Sequence, residues 1–210
     1  MAAAAKVEAS RRQFDRWART YERDLASRWL RVPQRAAMAA LRLESDDRFL
    51  DVACGTGAAV RDAAPHVERA AGFDLSSAML ARARELAAEL PNADFSEGDV
   101  GARLPFADGE FTAILCTSAF HHFPDPGAAT REIARVLAPG GRVVIGDGNG
   151  AHPFVAVMDI FARIFEPGHV HFQRAGFVEQ LLTKAGLANA ATRTFWLGGY
   201  SLVTAEQRSE

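Results

Sequence analysis

Leu50-Asp-Val-Ala-Cys-Gly-Thr-Gly57 is a short apolar run ending in a glycine turn, and an acid, Asp74, follows 17 residues after Gly57. Such a run reads as a buried strand, and glycines at its end let the backbone approach a ligand closely where the next helix begins. Ala70-Ala-Gly-Phe-Asp74 reads as the second strand. A carboxylate at that strand end can accept both hydroxyls of a ribose. A dinucleotide site would want glycine or alanine three residues after Gly57, where Val60 stands, and a phosphate loop would need Gly-Lys-Ser/Thr, which is absent. The ligand implied is an adenosine compound without phosphates. The carboxylate of Asp51 fits an ammonium better than an anion.

Outward from this turn the chain alternates strands and helices. Arg48 to Ala53 is the first strand and Ala70 to Asp74 the second. Ser76 suits the N-cap of a helix that runs to about Leu90 and stops at Pro91. Ala93–Ser96 and Phe111–Cys116 predict a third and fourth strand. A helix opened by Pro126 closes at Pro139-Gly140-Gly141, and Arg142–Gly146 is the fifth strand. This alternation means a parallel sheet with helices on both faces. A helix near Phe172–Ala185 precedes two runs, Ala191–Trp196 and Tyr200–Thr204, whose connecting Leu197-Gly198-Gly199 turn predicts an antiparallel hairpin.

The chain has 210 residues, 49% apolar and 24% charged, with a net charge of -2. These values describe one globular domain, not a disordered chain, and offer no electrostatic case for gripping nucleic acid. No run of about 18 apolar residues spans a bilayer, and no secretory segment precedes the charged N-terminal stretch. Cys54 and Cys116 are too few for a disulfide framework or a closed zinc site, so the expectation is a cytoplasmic protein with reduced thiols. Residues 1–48 stand apart, with 11 basic and 7 acidic side chains. Phe14, Trp17, Ala18, Tyr21 and Leu25 recur there at helical spacing, and Pro33 suits the first turn of a second helix reaching Leu43. The aromatic stripe either packs on the main domain or forms a lid, with Trp17 and Tyr21 facing a cavity.

With these motifs in order, the chain resembles the class I S-adenosylmethionine-dependent methyltransferases, in the small-molecule branch that includes the ubiquinone/menaquinone-biosynthesis C-methyltransferases. The resemblance rests on Leu50–Gly57, on Gly72-Phe-Asp-Leu-Ser-Ser-Ala-Met79, on Gly98-Asp-Val100 with Leu104-Pro-Phe106 and Phe111, and on Arg135-Val-Leu-Ala-Pro-Gly-Gly141. It implies a Rossmann-like α/β fold: a seven-stranded, mostly parallel sheet with an antiparallel last strand, helices on both faces and an N-terminal helical cap. Residues 1–43 would be that cap, and 44–210 the cofactor-binding domain with a substrate-cap insertion at 148–170. By the same resemblance, Asp51, Ala53, Cys54, Gly55, Thr56 and Gly57 would hold the methionine end of S-adenosylmethionine. Asp74 would take the ribose, Leu75 and Met79 would line the adenine pocket, Asp99 would accept the adenine amino group, and Val100 would pack on the ring. Thr117 and Ser118 would lie beside the sulfonium. S-adenosylhomocysteine would be the product.

Methyl transfer is an in-line displacement that asks mainly for alignment and exclusion of water. A base is needed only where the nucleophile must lose a proton, and His121 and His122, after the fourth strand, are the candidates. In 148–170, Phe154, Val157, Met158, Phe161, Ile164 and Phe165 recur at helical spacing, with Asp159 and Arg163 on the polar side. That helix either packs on the N-terminal helices, or Phe161 and Phe165 join Trp17 and Tyr21 in walling an apolar or aromatic acceptor, with His169 at the mouth. His-x-His at 169–171 supplies too few ligands for a metal, so none is assigned. The expected partner is a small-molecule acceptor, with peripheral membrane association and a homodimer left open and integral insertion disfavoured. Nucleic acid is disfavoured too, since Thr117-Ser-Ala-Phe120 stands where base-amine methyltransferases carry Asn/Asp-Pro-Pro-Tyr/Phe. Two alternatives remain: a phospholipid head-group methyltransferase, and a non-catalytic binding protein on the same fold.

Overall fold

A computed structural model describes residues 2–209. Two helices, α1 (Ala2–Trp17) and α2 (Leu25–Leu41), precede β1 (Arg48–Val52), α3 (Ala58–Ala63), β2 (Arg69–Asp74), α4 (Ser77–Leu86) and β3 (Ala93–Glu97). Then come β4 (Phe111–Thr117), α5 (Pro126–Val136), β5 (Leu137–Gly148), α6 (Pro153–Phe165), α7 (Ala175–Lys184), β6 (Ala188–Phe195) and β7 (Tyr200–Glu206). They form one sheet in the order β3-β2-β1-β4-β5-β7-β6, in which only β7 runs against its neighbours. The Rossmann-like expectation is met, including the closing hairpin.

Local chemistry explains the elements nearest the site. Four of the five residues of β1 are buried, as a central strand covered on both faces requires. Ser76 Oγ accepts the Met79 N–H at 3.1 Å and so caps α4. Asp125 Oδ1 caps α5 by accepting the Ala128 N–H at 2.8 Å, with Pro126 in the first turn.

Two boundaries and the facing of one helix differ from the sequence reading. Pro33 lies inside α2, which starts eight residues earlier at Leu25. Pro139-Gly140-Gly141 does not separate α5 from the fifth strand: β5 already pairs with β4 at Leu137, and the segment is taken up in a register shift before Arg142. On α6 it is the acid that faces inward. Asp159 is buried and paired to Arg163 at 2.5 Å, while the apolar side faces solvent. Periodicity identifies a helix with two faces but not which one the protein covers.

Strand order reverses between β1 and β4, and the crevice outside their carboxyl ends is where open α/β sheets bind ligands. α1 lies across this end. At one end Lys6 Nζ donates to the carbonyl oxygens of His169 and Pro167 at 2.9 and 3.1 Å. Nearer its other end, Asp15 Oδ1 accepts the Ser76 hydroxyl at 2.6 Å. Among the described residues no helix is long and apolar enough to cross a membrane.

Candidate active site

The turn after β1 is built from backbone that few residues adopt. Ala53, Gly55 and Gly57 have φ of 62°, 54° and 74°, and Ser118, just past β4, has 53°. Positive φ at alanine and serine is strained, and such strain persists where surrounding structure holds it, often at ligand sites. Gly57 is required twice over, because a Cβ there would also stand 2.7 Å from the Phe95 ring. Above this turn opens a cavity lined by residues of α1, of the glycine turn, and of the loops after β2, β3 and β4.

Of the expected cofactor residues, the cavity brings together Ala53, Gly55, Asp74, Leu75, Met79, Asp99, Val100, Thr117 and Ser118. Asp74 Oδ2 accepts the Gly55 N–H at 2.7 Å and Oδ1 the Ser76 N–H at 2.9 Å. Each oxygen keeps lone-pair capacity for a ligand hydroxyl. Asp51 is fully buried beside this floor, and neither of its oxygens has a partner among the described residues. Burial first, and the charge of Asp74 second, push its carboxyl well above the usual carboxylate range. Asp74 is raised as well, chiefly by burial. Two buried carboxylates, one of them orphaned, leave unsatisfied negative potential that a cation would relieve. A cofactor with an ammonium and a sulfonium at one end and a nucleoside at the other fits this donor set.

Thr56 and Cys54 border a second, smaller hollow, which also touches Ser27, Arg31, Gln34, Thr117 and Ser118. Tyr21 lines both spaces. Its hydroxyl is pushed up to about 12, by burial first and then by Asp74 and Asp51, and stays a donor. Thr56 Oγ1 donates to Glu22 Oε1 at 2.9 Å. The Cys54 thiol is held protonated by burial and faces β2, where Gly72 leaves it room.

The two histidines part company. His122 lines the cavity, and its Nδ1–H donates to the Gly168 carbonyl at 3.1 Å, which leaves Nε2 as an acceptor. Burial first, and then His121, hold its pKa well below 6.5, so the ring is neutral. His121 lies outside the lining, with Nδ1 2.8 Å from Asp147 Oδ1.

The expected acceptor wall is only partly assembled. Tyr21 faces the cavity, but Trp17 stands behind it, edge-on at 4.9 Å, with its indole N–H donating to Asp24. Phe14 takes the place foreseen for Trp17, joined by Val7 and Ser10. Phe161 and Phe165 are exposed and do not reach the cavity, because α6 turns that side outward. His169 is fully buried and not at the mouth: Asp159, on the inner side of α6, draws in its Nε2–H at 2.8 Å. Phe123, Pro124, Arg31 and Gln34 were missed. Phe14 belongs to the same aromatic stripe as Trp17 and Tyr21.

Residues 50–145 match the family model described as a methyltransferase domain. A demethylmenaquinone methyltransferase of Deinococcus radiodurans is 41% identical over 116 residues, 53% of this chain and 47% of that protein. The chain thus spans about half the length of that relative. A chain from the complex between the Haloferax volcanii Trm112 methyltransferase activator and a methyltransferase superposes with a TM-score of 0.80 at 21% identity, covering 95% of this chain and 98% of that one. An S-adenosylmethionine dependent methyltransferase from Mesorhizobium loti gives 0.70 at 21% identity, over 82% of this chain and 96% of the other. At these identities the structural likeness carries the fold alone. Residues 50–145 are similar throughout to a methyltransferase domain, on a fold shared with an S-adenosylmethionine dependent methyltransferase.

Proposed function

We propose that this protein transfers a methyl group from S-adenosylmethionine to a small apolar or aromatic acceptor, as the demethylmenaquinone methyltransferases it resembles are named for doing. The observation that carries the reading is Asp51: a fully buried carboxylate with no partner among the described residues, near a second buried carboxylate, Asp74. Ionising that carboxyl in place is costly, and a bound cation would offset the cost.

The cofactor supplies an electrophilic methyl on a leaving group that is already cationic. Asp51 and the Gly55–Gly57 backbone would hold the amino-acid end, and Asp74 would hold the ribose. Leu75, Met79 and Val100 would line the adenine pocket, and Asp99 would accept its amino group. Thr117 and Ser118 border the sulfonium, with Ser118 Oγ fixed 3.0 Å from the Tyr200 hydroxyl. α1 is the lid: its ties through Lys6 and Asp15 keep Phe14 and Tyr21 over the cavity, where they exclude water and leave an apolar space for the acceptor. His122 Nε2 is the acceptor atom available to orient a substrate hydroxyl.

Binding comes first in the test. S-adenosylhomocysteine at 100 times its dissociation constant should stabilise the wild type by about 2.7 kcal/mol, seen as a raised melting midpoint. Asp51→Asn should lose most of that rise while remaining folded. Transfer of labelled methyl to demethylmenaquinone then tests the acceptor class. A well-folded wild type with no rise would overturn the reading.

A further inference from the structure

α6 turns its most apolar face away from the protein. On its inner side Asp159 accepts hydrogen bonds from His169, His171 and the Phe172 N–H at 2.7–2.8 Å. On its outer side lie Phe154, Val157, Met158, Phe161, Ile164 and Phe165. Phe154, Ile164 and Phe165 are 67%, 68% and 74% exposed. At the α-helical repeat the six fall within an arc of about 120°, the width of stripe that ordinarily faces a core.

Area and charge together identify the occupant. A fully exposed phenylalanine offers about 150–250 Å², and the six residues together present on the order of 800 Å² of apolar surface. The largest patch on a monomer is about 300–600 Å², whereas a standard interface takes roughly 800 Å² from each partner. Only two charged side chains stand on α6, Asp159 and Arg163, and they pair with each other away from the apolar arc, with Asp159 buried and Arg163 half exposed. A helix lying on an anionic bilayer carries a row of lysines or arginines on its polar face; here there is one arginine, already engaged. An uncharged apolar stripe is instead complementary to itself under a twofold axis. We propose that α6 is the interface of a homodimer in which two copies of this chain pack arc against arc.

Sedimentation equilibrium of the full chain tests this. The expected mass is twice 22.7 kDa, and the double variant Phe161→Glu/Phe165→Glu should fall to the mass of one chain with an unchanged circular-dichroism spectrum. Both positions are solvent-facing within one copy, so the charges do not disturb its fold. Because Cys54 and Cys116 are buried, Phe161→Cys supplies the one accessible thiol among the described residues. It should give a disulfide-linked dimer on a non-reducing gel. A wild type that sediments as one chain at every concentration, or a double variant that stays dimeric, overturns the proposal. Co-sedimentation of single chains with anionic vesicles, lost in the double variant, would overturn it in favour of a lipid surface.

Discussion

The Gly55 amide donates to Asp74 Oδ2 at 2.7 Å, tying the glycine turn to the end of the neighbouring strand. Asp74 is therefore both a ligand group and the clasp that holds the turn in shape, since its other oxygen secures the Ser76 amide at the start of α4. Removing it strands two N–H donors. Asp74→Ala is expected to lower stability by about 1–3 kcal/mol and, through loss of charged hydrogen bonds to the ribose, to weaken S-adenosylhomocysteine by roughly 10- to 100-fold. Thermal melting gives the first number and titration calorimetry the second. Unchanged affinity in a folded variant would remove Asp74 from the site.

Asp51 makes binding depend on protons. Its folded carboxyl titrates well above the usual 3.8, because of burial and then of Asp74. A group raised on folding contributes stability that is full below about 3.8 and is lost as pH rises through the raised value. A cationic ligand pairs with the ionised form, so binding expels a proton and tightens as pH rises. Calorimetry of S-adenosylhomocysteine binding at mildly acidic pH, in two buffers of different ionisation enthalpy, should show net proton release. Asp51→Asn should reduce that release and, without ligand, should melt higher than wild type.

The sheet and the floor of the cavity were legible because their signals are local. A strand, a glycine turn and a strand-end acid lie within 25 residues, Leu50 to Asp74, and backbone geometry alone brings them together. What sits on top was less legible, since it depends on which face a helix presents. The stripe Phe14, Trp17, Tyr21 gave a helix, but α1 ends at Trp17 and the chain turns, so Phe14 and Tyr21 face inward and Trp17 does not. α6 misleads more strongly: its apolar side predicts burial, yet Asp159, which finds partners 10 to 13 residues later in His169, His171 and Phe172, is what anchors it. Nothing in helical spacing reports those partners.

His122 is the cavity histidine, but its burial favours the neutral ring well below pH 6.5. A neutral imidazole whose Nδ1–H is engaged by Gly168 orients a hydroxyl through Nε2 more readily than it carries a proton away at pH 7. His122→Ala should cut kcat by about tenfold, the worth of one hydrogen bond of about 1.4 kcal/mol. No inflection near 6.5 should be lost from the kcat–pH profile. A roughly 100-fold or larger fall, of general-base size, together with loss of an inflection at or above 6.5, would make His122 the base instead.

Asp159 anchors the segment from Glu166 to Phe172, which in turn carries Gly168 and hence His122. Burial alone would raise its carboxyl, but hydrogen bonds from Phe172, His169 and His171 outweigh burial and bring it down to about 2. A depressed carboxyl contributes stability that is full above about 3.8 and is lost as pH falls through 2, the opposite sign to Asp51. Asp159→Ala strands the fully buried His169 and the Phe172 amide, and should cost about 1–3 kcal/mol for each buried group left without its partner. The gap between wild type and variant in denaturant midpoint should hold near neutrality and narrow as pH falls below 3.8. Hydrogen exchange should show faster opening at residues 168–172 while the β1–β4 core stays protected. An equal loss of protection in the core would mean that Asp159 supports the whole domain and is not a local anchor for this segment.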